Sequence, residues 1–139
     1  MSLANLSNET IRLSMDQTSE KKVILAVDDE ELTRDVLVQA LRILGYEAVA
    51  ASNGADALNL FESCKPSAII TDIHMPEMDG LELLRHVRDK DKALPVILIT
   101  GYDAGEARLA AESYGASALL IKPFRIHELQ EILVKLFSQ

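Results

Sequence analysis

The sequence predicts an α/β fold: five short parallel strands alternating with five helices in a three-layer, doubly wound domain. Three observations lead there. From residue 23 onward, short apolar runs alternate with stretches of helical period. The runs VILAV, AII and VILI are apolar at consecutive positions, as strands covered on both faces must be. Five such units fit into about 115 residues, and parallel neighbours joined by right-handed crossovers place helices on both sides of the sheet.

The first strand is Val23–Val27. The helix after it carries Leu32, Val36, Leu37, Ala40, Leu41 and Leu44, which the 3.6 period places on one face. Gly45 ends that helix as a C′ glycine. The second run, Glu47–Ala51, is only weakly apolar and suits a strand at the sheet edge. Asn53 precedes a helix striped by Ala57, Leu58 and Phe61. Residues 67–72 form the third strand, and Leu81, Leu84 and Val87 mark the helix behind it. Residues 95–100 form the fourth strand. Asp103 and Glu106 read as a capping box for a helix that runs to Tyr114 and stops at Gly115. Ala118–Ile121 is the fifth strand, and Leu129, Ile132, Leu133, Leu136 and Phe137 stripe the last helix.

Composition bounds the function. The chain has 139 residues, enough for one domain with a tail. Hydrophobic residues are 48% and charged residues 26%, which excludes a disordered or collagen-like chain. No apolar run is long enough to span a membrane. Cys64 is the only cysteine, so neither a disulfide framework nor a cysteine zinc site is available. A single thiol fits a reducing compartment, and the expected location is the cytoplasm. The net charge is −8, which argues against direct nucleic-acid binding and favours a cation or a basic partner surface.

Residues 1–22 form a separate leader, rich in Ser, Asn, Thr and charge, with Leu3, Leu6, Ile11, Leu13 and Met15 as its main apolar positions. It reads as a solvated tail, with an amphipathic helix packing on a partner subunit as the rival. Met-Ser-Leu at the start has the look of a cloning remnant, with Met15 as an alternative natural start. Residues 23–139 are expected to make the folded domain.

In an open parallel α/β sheet, ligands sit beyond the carboxyl ends of the strands. There the first strand ends in Asp28, Asp29 and Glu30, the third in Asp72, the fourth in Thr100, and the fifth in Lys122 before Pro123. Three carboxylates at one edge repel: at ~4 Å and an effective dielectric of ~20, each like-charged pair costs about 4 kcal/mol. A hard divalent cation relieves that repulsion, and Mg²⁺ uses one or two carboxylates with phosphate oxygens. Lys122 offers a point charge for a phosphoryl group and Thr100 a hydroxyl donor. Singly, each residue has a plainer reading. Asp28 and Asp29 could be N-caps, Asp72 and Thr100 turn residues, and Lys122 a solvated lysine. Convergence at four strand ends favours a site that holds metal and phosphoryl on or beside an aspartate.

VILAVDDE, IITDIHMPEMDG, VILITG and LLIKPF, in this order and spacing, resemble the receiver domain of two-component response regulators. The resemblance covers the chain from Val23 to about Phe137. It implies a flavodoxin-like (βα)5 fold with strand order 2-1-3-4-5. It implies that Asp72 is the phosphoacceptor, taking a phosphoryl group from a histidine kinase or a histidine phosphotransfer protein. It implies that Asp28, Asp29, Asp72 and the backbone carbonyl of His74 hold Mg²⁺ (or Mn²⁺), and that Thr100 and Lys122 bind the phosphoryl oxygens. The match departs at Leu119, where the family usually has Tyr or Phe, and at Arg125, where many relatives have an acidic residue. By resemblance the face made by the fourth helix, fifth strand and fifth helix is a docking or homodimer surface, with the leader as a second route to a dimer. His74 and Tyr102, each two residues past a site residue, could modulate hydrolysis; for His74 a plain loop histidine is the simpler reading, and His86 and His127 read as surface residues.

The expected function is a phosphorelay switch acting on a downstream protein effector, catalysing only its own phosphorylation and dephosphorylation rather than turning over substrate. A phosphorylation-independent pseudo-receiver scaffold is the alternative. An aspartate-nucleophile phosphatase of the haloacid-dehalogenase type would carry DxD on its first strand, where this chain has DDE. A flavin-binding protein would need a phosphate cradle where Asp28 and Asp29 stand.

Overall fold

A computed structural model describes residues 21–138. Five strands and five helices alternate through it: β1 (Val23–Val27), α1 (Glu31–Ile43), β2 (Glu47–Ala51), α2 (Gly54–Cys64), β3 (Ala68–Asp72), α3 (Gly80–Lys90), β4 (Val96–Thr100), α4 (Ala104–Tyr114), β5 (Ala118–Ile121) and α5 (Ile126–Phe137). The sheet is wholly parallel in the order β2-β1-β3-β4-β5. The chain therefore reverses direction of winding between β1 and β3, and the weakly apolar β2 lies at an edge as its composition predicts. The leader assigned to residues 1–22 lies outside the described residues except for Lys21 and Lys22.

The period-2 alternation of the strands divides the core in two. Leu25, Val27, Ile69, Val96 and Leu98 face one layer, which α3 fills with Leu83, Leu84 and Val87 and α4 with Ala107 and Ala111. Ile24, Ala26, Ile70, Ile97 and Ile99 face the other, closed by Leu37 and Leu41 of α1 and Leu129 and Leu133 of α5. Side chains that must be buried on both faces explain why β3 and β4 read as unbroken apolar runs.

Helix ends follow their local chemistry. Asn53 accepts the Asp56 N–H, and Asp79 accepts the Glu82 N–H. Asp103 Oδ1 accepts both Gly105 and Glu106 N–H at the start of α4. Gly45 and Gly115 take the positive φ that a C′ position favours. Arg125 has no side-chain acceptor to cap α5, but the Glu128 carboxylate reaches back to its N–H at 3.1 Å.

Four expectations need correction. Leu32 and Val36 do not join the buried face of α1: they are 81% and 64% exposed, and the buried pair is Leu37 and Leu41. The apolar stripe on α1 is wider than the sheet can cover, so two of its six residues face out. Leu83 is fully buried on α3, whereas Leu81 is only half-buried. β3 and β4 each start one residue later than the apolar pattern implies. Pro95 has no N–H for the ladder and contributes only its carbonyl, to Ile69.

Candidate functional site

Strand register builds the site. Val27 pairs with Thr71, which sets the next residues, Asp28 and Asp72, side by side at the carboxyl edge. Asp72 pairs with Ile99, so Thr100 follows one step beyond. Thr100 pairs with Ile121, and Lys122 comes next. The edge where the winding reverses thus collects every charged group singled out from the sequence, as the switch-point rule requires.

Asp28, Asp72 and Thr100 are buried polar residues, at 1%, 6% and 0% exposure. Each is held by named partners. Asp28 Oδ1 accepts the Glu30 N–H at 2.9 Å, and Arg34 donates to the Asp28 carbonyl at 2.9 Å. Asp72 Oδ1 accepts the His74 N–H at 3.1 Å, and the Thr71 hydroxyl donates to the Asp72 carbonyl. Lys122 Nζ reaches Asp72 Oδ2 at 2.8 Å and Asp28 Oδ2 at 3.5 Å. The lysine, a quarter exposed, is therefore not a bystander; it spans the two carboxylates. The acidic pair does not cap α1, because Glu30 occupies the N-cap position.

The β3–α3 loop turns sharply to return the chain beside Asp72. Gly80 N–H bonds to the Ile73 carbonyl at 2.8 Å, and a Cβ on Gly80 would lie 2.3 Å from the Asp72 carbonyl oxygen. Only glycine fits that approach. The Lys122–Pro123 peptide is cis.

Burial pushes the Asp28 carboxyl above the usual aspartate range, against the pull of the Glu30 N–H and the Lys122 charge. Burial also works to lower Lys122, but the Asp72 hydrogen bond and the two carboxylate charges outweigh it and raise the ammonium above its ordinary value. Lys122 therefore stays charged, and the ionised form of Asp28 is the one that burial penalises.

Carboxylate oxygens of Asp28, Asp29 and Asp72 lie within 4.8 Å of one another, with Asp29 exposed and the others buried. A set of hard oxygen donors, open to solvent at Asp29, fits Mg²⁺ or Mn²⁺. The Thr100 hydroxyl accepts the Tyr102 N–H at 3.1 Å, the turn role its position before Gly101 allows. His74 is exposed, and its ring meets the Tyr102 ring edge-on at 4.4 Å between centroids. His86 and His127 are exposed helical residues, as read. Leu119 is half-buried against the core layer that includes Ala107 and Ala111. Sequence reasoning missed Arg34 and Thr71, which fix the backbone of the two aspartates; a bond to a backbone carbonyl leaves no residue pattern to find.

The profile of the response regulator receiver domain matches residues 24–134. The chain belongs to this family. It is 42% identical over 110 residues to regulatory protein AtoC of Escherichia coli, covering 79% of this chain and 24% of that protein. It thus spans about a quarter of that relative's length. A putative response regulator from Chloroflexus aurantiacus superposes with a TM-score of 0.82 at 31% identity, over 86% of this chain and all of that one. The receiver domain of the sensor histidine kinase PA1611 from Pseudomonas aeruginosa, a structure with a magnesium ion coordinated in its active-site cleft, superposes at 0.79 with 29% identity. That match covers 86% of this receiver and 99% of the other. The order of strands is that of the CheY-like receivers, and the expected fold is borne out. No helix among the described residues is long and apolar enough to cross a membrane.

Proposed function

We propose that Asp72 accepts a phosphoryl group from a phosphohistidine on a histidine kinase or phosphotransfer protein, and that the phosphorylated chain changes its binding to a downstream protein. The observation that carries this reading is the Asp72 carboxylate, bonded to Lys122 Nζ at 2.8 Å and grouped with Asp28 and Asp29. The family membership supports it.

Asp72 needs no general base, because a carboxylate is already nucleophilic at neutral pH. One Asp72 oxygen forms a bond to phosphorus as the bond from phosphorus to the imidazole nitrogen breaks, and the imidazole leaves with its electron pair. Lys122 is placed to neutralise charge on the phosphoryl oxygens. Its ammonium must shift from bridging Asp28 and Asp72 to pair with the new group. Asp28, Asp29, Asp72 and the His74 carbonyl would hold Mg²⁺, which supplies further neutralisation of the transferring group when bound. Thr100 sits one strand away with a hydroxyl that the Tyr102 N–H now engages; donation to a phosphoryl oxygen requires the β4–α4 turn to rearrange. The reaction is a single self-modification, so the chain acts as a switch and not as a turnover enzyme, with a homodimer through α4, β5 and α5 as one form of output. A cytoplasmic location and the absence of direct nucleic-acid contact are parts of the same reading.

The test is intact-protein mass after incubation with Mg²⁺ and acetyl phosphate. One added phosphoryl group is expected, absent in Asp72→Ala and absent with chelator. If neither that adduct nor a response to beryllofluoride appears, the phosphorylation-independent scaffold is the better reading.

A further inference from the structure

Helix α1 is anchored by Leu37 and Leu41, both buried against the sheet, so its rotation is fixed. Its opposite face carries three of the large exposed apolar side chains among the described residues: Leu32 at 81%, Val36 at 64% and Ile43 at 75%. Single exposed leucines need no explanation, but a row on one helix does. With exposed Gln39 these residues stand at positions 32, 36, 39 and 43. That 4-3-4 spacing is the seam of a two-helix coiled coil, with one polar residue inside it. The seam lies at the edge of a cleft of about 500 Å³ that Val36 lines together with Asp28 and Lys122.

Two exposed charges flank the seam on one side, Asp35 and Arg42, and neither has an ion-pair partner among the described residues. They stand seven residues apart, two turns along the same edge. This charge pattern is self-complementary in one orientation only. If the helix meets an identical helix running the opposite way, with a two-fold axis at mid-seam, Leu32 meets Ile43 of the second copy and Val36 meets its Gln39. The same operation sets Asp35 beside Arg42 of the second copy, and Arg42 beside its Asp35. A parallel pairing instead puts the two Asp35–Arg42 edges on opposite sides of the seam, where they cannot pair.

We propose that α1 is a self-association surface, docking antiparallel onto α1 of a second copy of this chain through Leu32, Val36, Gln39 and Ile43. The interface is isologous, so each mutation acts twice. A seam of four residues per copy falls short of the ~800 Å² per partner typical of stable complexes, so the dimer is weak.

Sedimentation velocity of the full chain, from low micromolar to millimolar concentration, reads this directly. The sedimentation coefficient is expected to rise with concentration, and Ile43→Glu should hold the chain monomeric with an unchanged circular-dichroism melt. Asp35→Arg and Arg42→Asp should each weaken association roughly tenfold, and the double reversal should restore it, as only a direct pair across the interface predicts. A chain that stays monomeric at every concentration overturns the proposal and leaves this face to a different protein. Association that ignores Ile43→Glu and both charge reversals overturns it as well, by placing the dimer on another face.

Discussion

Helices α3 and α4 lie on the same side of the sheet and flank the same site, yet they are held very differently. GLELLRHVRDK gives α3 three fully buried apolar side chains, Leu83, Leu84 and Val87. Each is worth roughly 1.5–3 kcal/mol of burial. AGEARLAAESY gives α4 only Ala107 and Ala111, which are 7% and 6% exposed, while Leu109 points away at 69% exposure. An alanine buries about one methyl group, so α4 is anchored more weakly by several kcal/mol. The loop ahead of α3 follows directly on Asp72 and is pinned by the close approach of Gly80. The turn ahead of α4 follows directly on Thr100 and is held by one hydroxyl-to-backbone bond and the Asp103 cap. Asp72 stands on the firm side of the site and the Thr100 hydroxyl on the soft side. Elements with few buried contacts open first, and they are the ones a local charge can bias.

The largest expected effect is on the firm side. Leu83→Ala should cost about 2–5 kcal/mol in chemical denaturation, by transfer and cavity losses. On α4, Asp103→Ala removes the cap and should cost only about 1 kcal/mol. Equal losses would break the contrast. Next comes the metal: Asp29→Asn should weaken Mg²⁺ binding roughly tenfold or more, about 1.4 kcal/mol, by titration calorimetry. Unchanged affinity would remove Asp29 from the metal set.

Stability against pH sharpens the point about the buried charge. The Asp28 carboxyl is raised by burial, so the folded protein holds that proton more tightly than the unfolded chain does. This contribution is present at low pH and is lost as pH rises from the ordinary aspartate value through the folded one. Asp28→Asn should therefore flatten that part of the profile and make the metal-free protein more stable at neutral pH, while Mg²⁺ binding falls. A less stable variant would mean that the Lys122 pairing outweighs the burial cost. The smallest effect is expected from Leu119→Tyr, at a half-buried position packed against the core layer under α3 and α4: partner affinity should change more than the rate of phosphorylation. A changed rate with constant affinity would place this position in the reaction rather than in the readout.

Much of this was legible in the sequence. The strand-end residues Asp28, Asp72, Thr100 and Lys122 could be brought together because parallel register leaves little freedom once the strands are found. The weak second strand announced its edge position in the same way. What escaped was set by three-dimensional packing. Seven apolar residues between Leu32 and Ile43 exceed what one sheet face can cover, and period alone does not say that Leu37 and Leu41 win over Leu32 and Val36. Likewise Lys122 reads as a lysine before proline, and only its position across from Asp72 shows that it joins two carboxylates.

Amide hydrogen exchange read by mass spectrometry tests the contrast between the two helices most directly, with Mg²⁺ present and with or without beryllofluoride. The account predicts that α4 exchanges well before α3 in the free protein, and that beryllofluoride slows exchange in the β4–α4 turn and in α4 while α3 barely changes. Equal protection of the two helices in the free protein, or a response confined to α3, would contradict it.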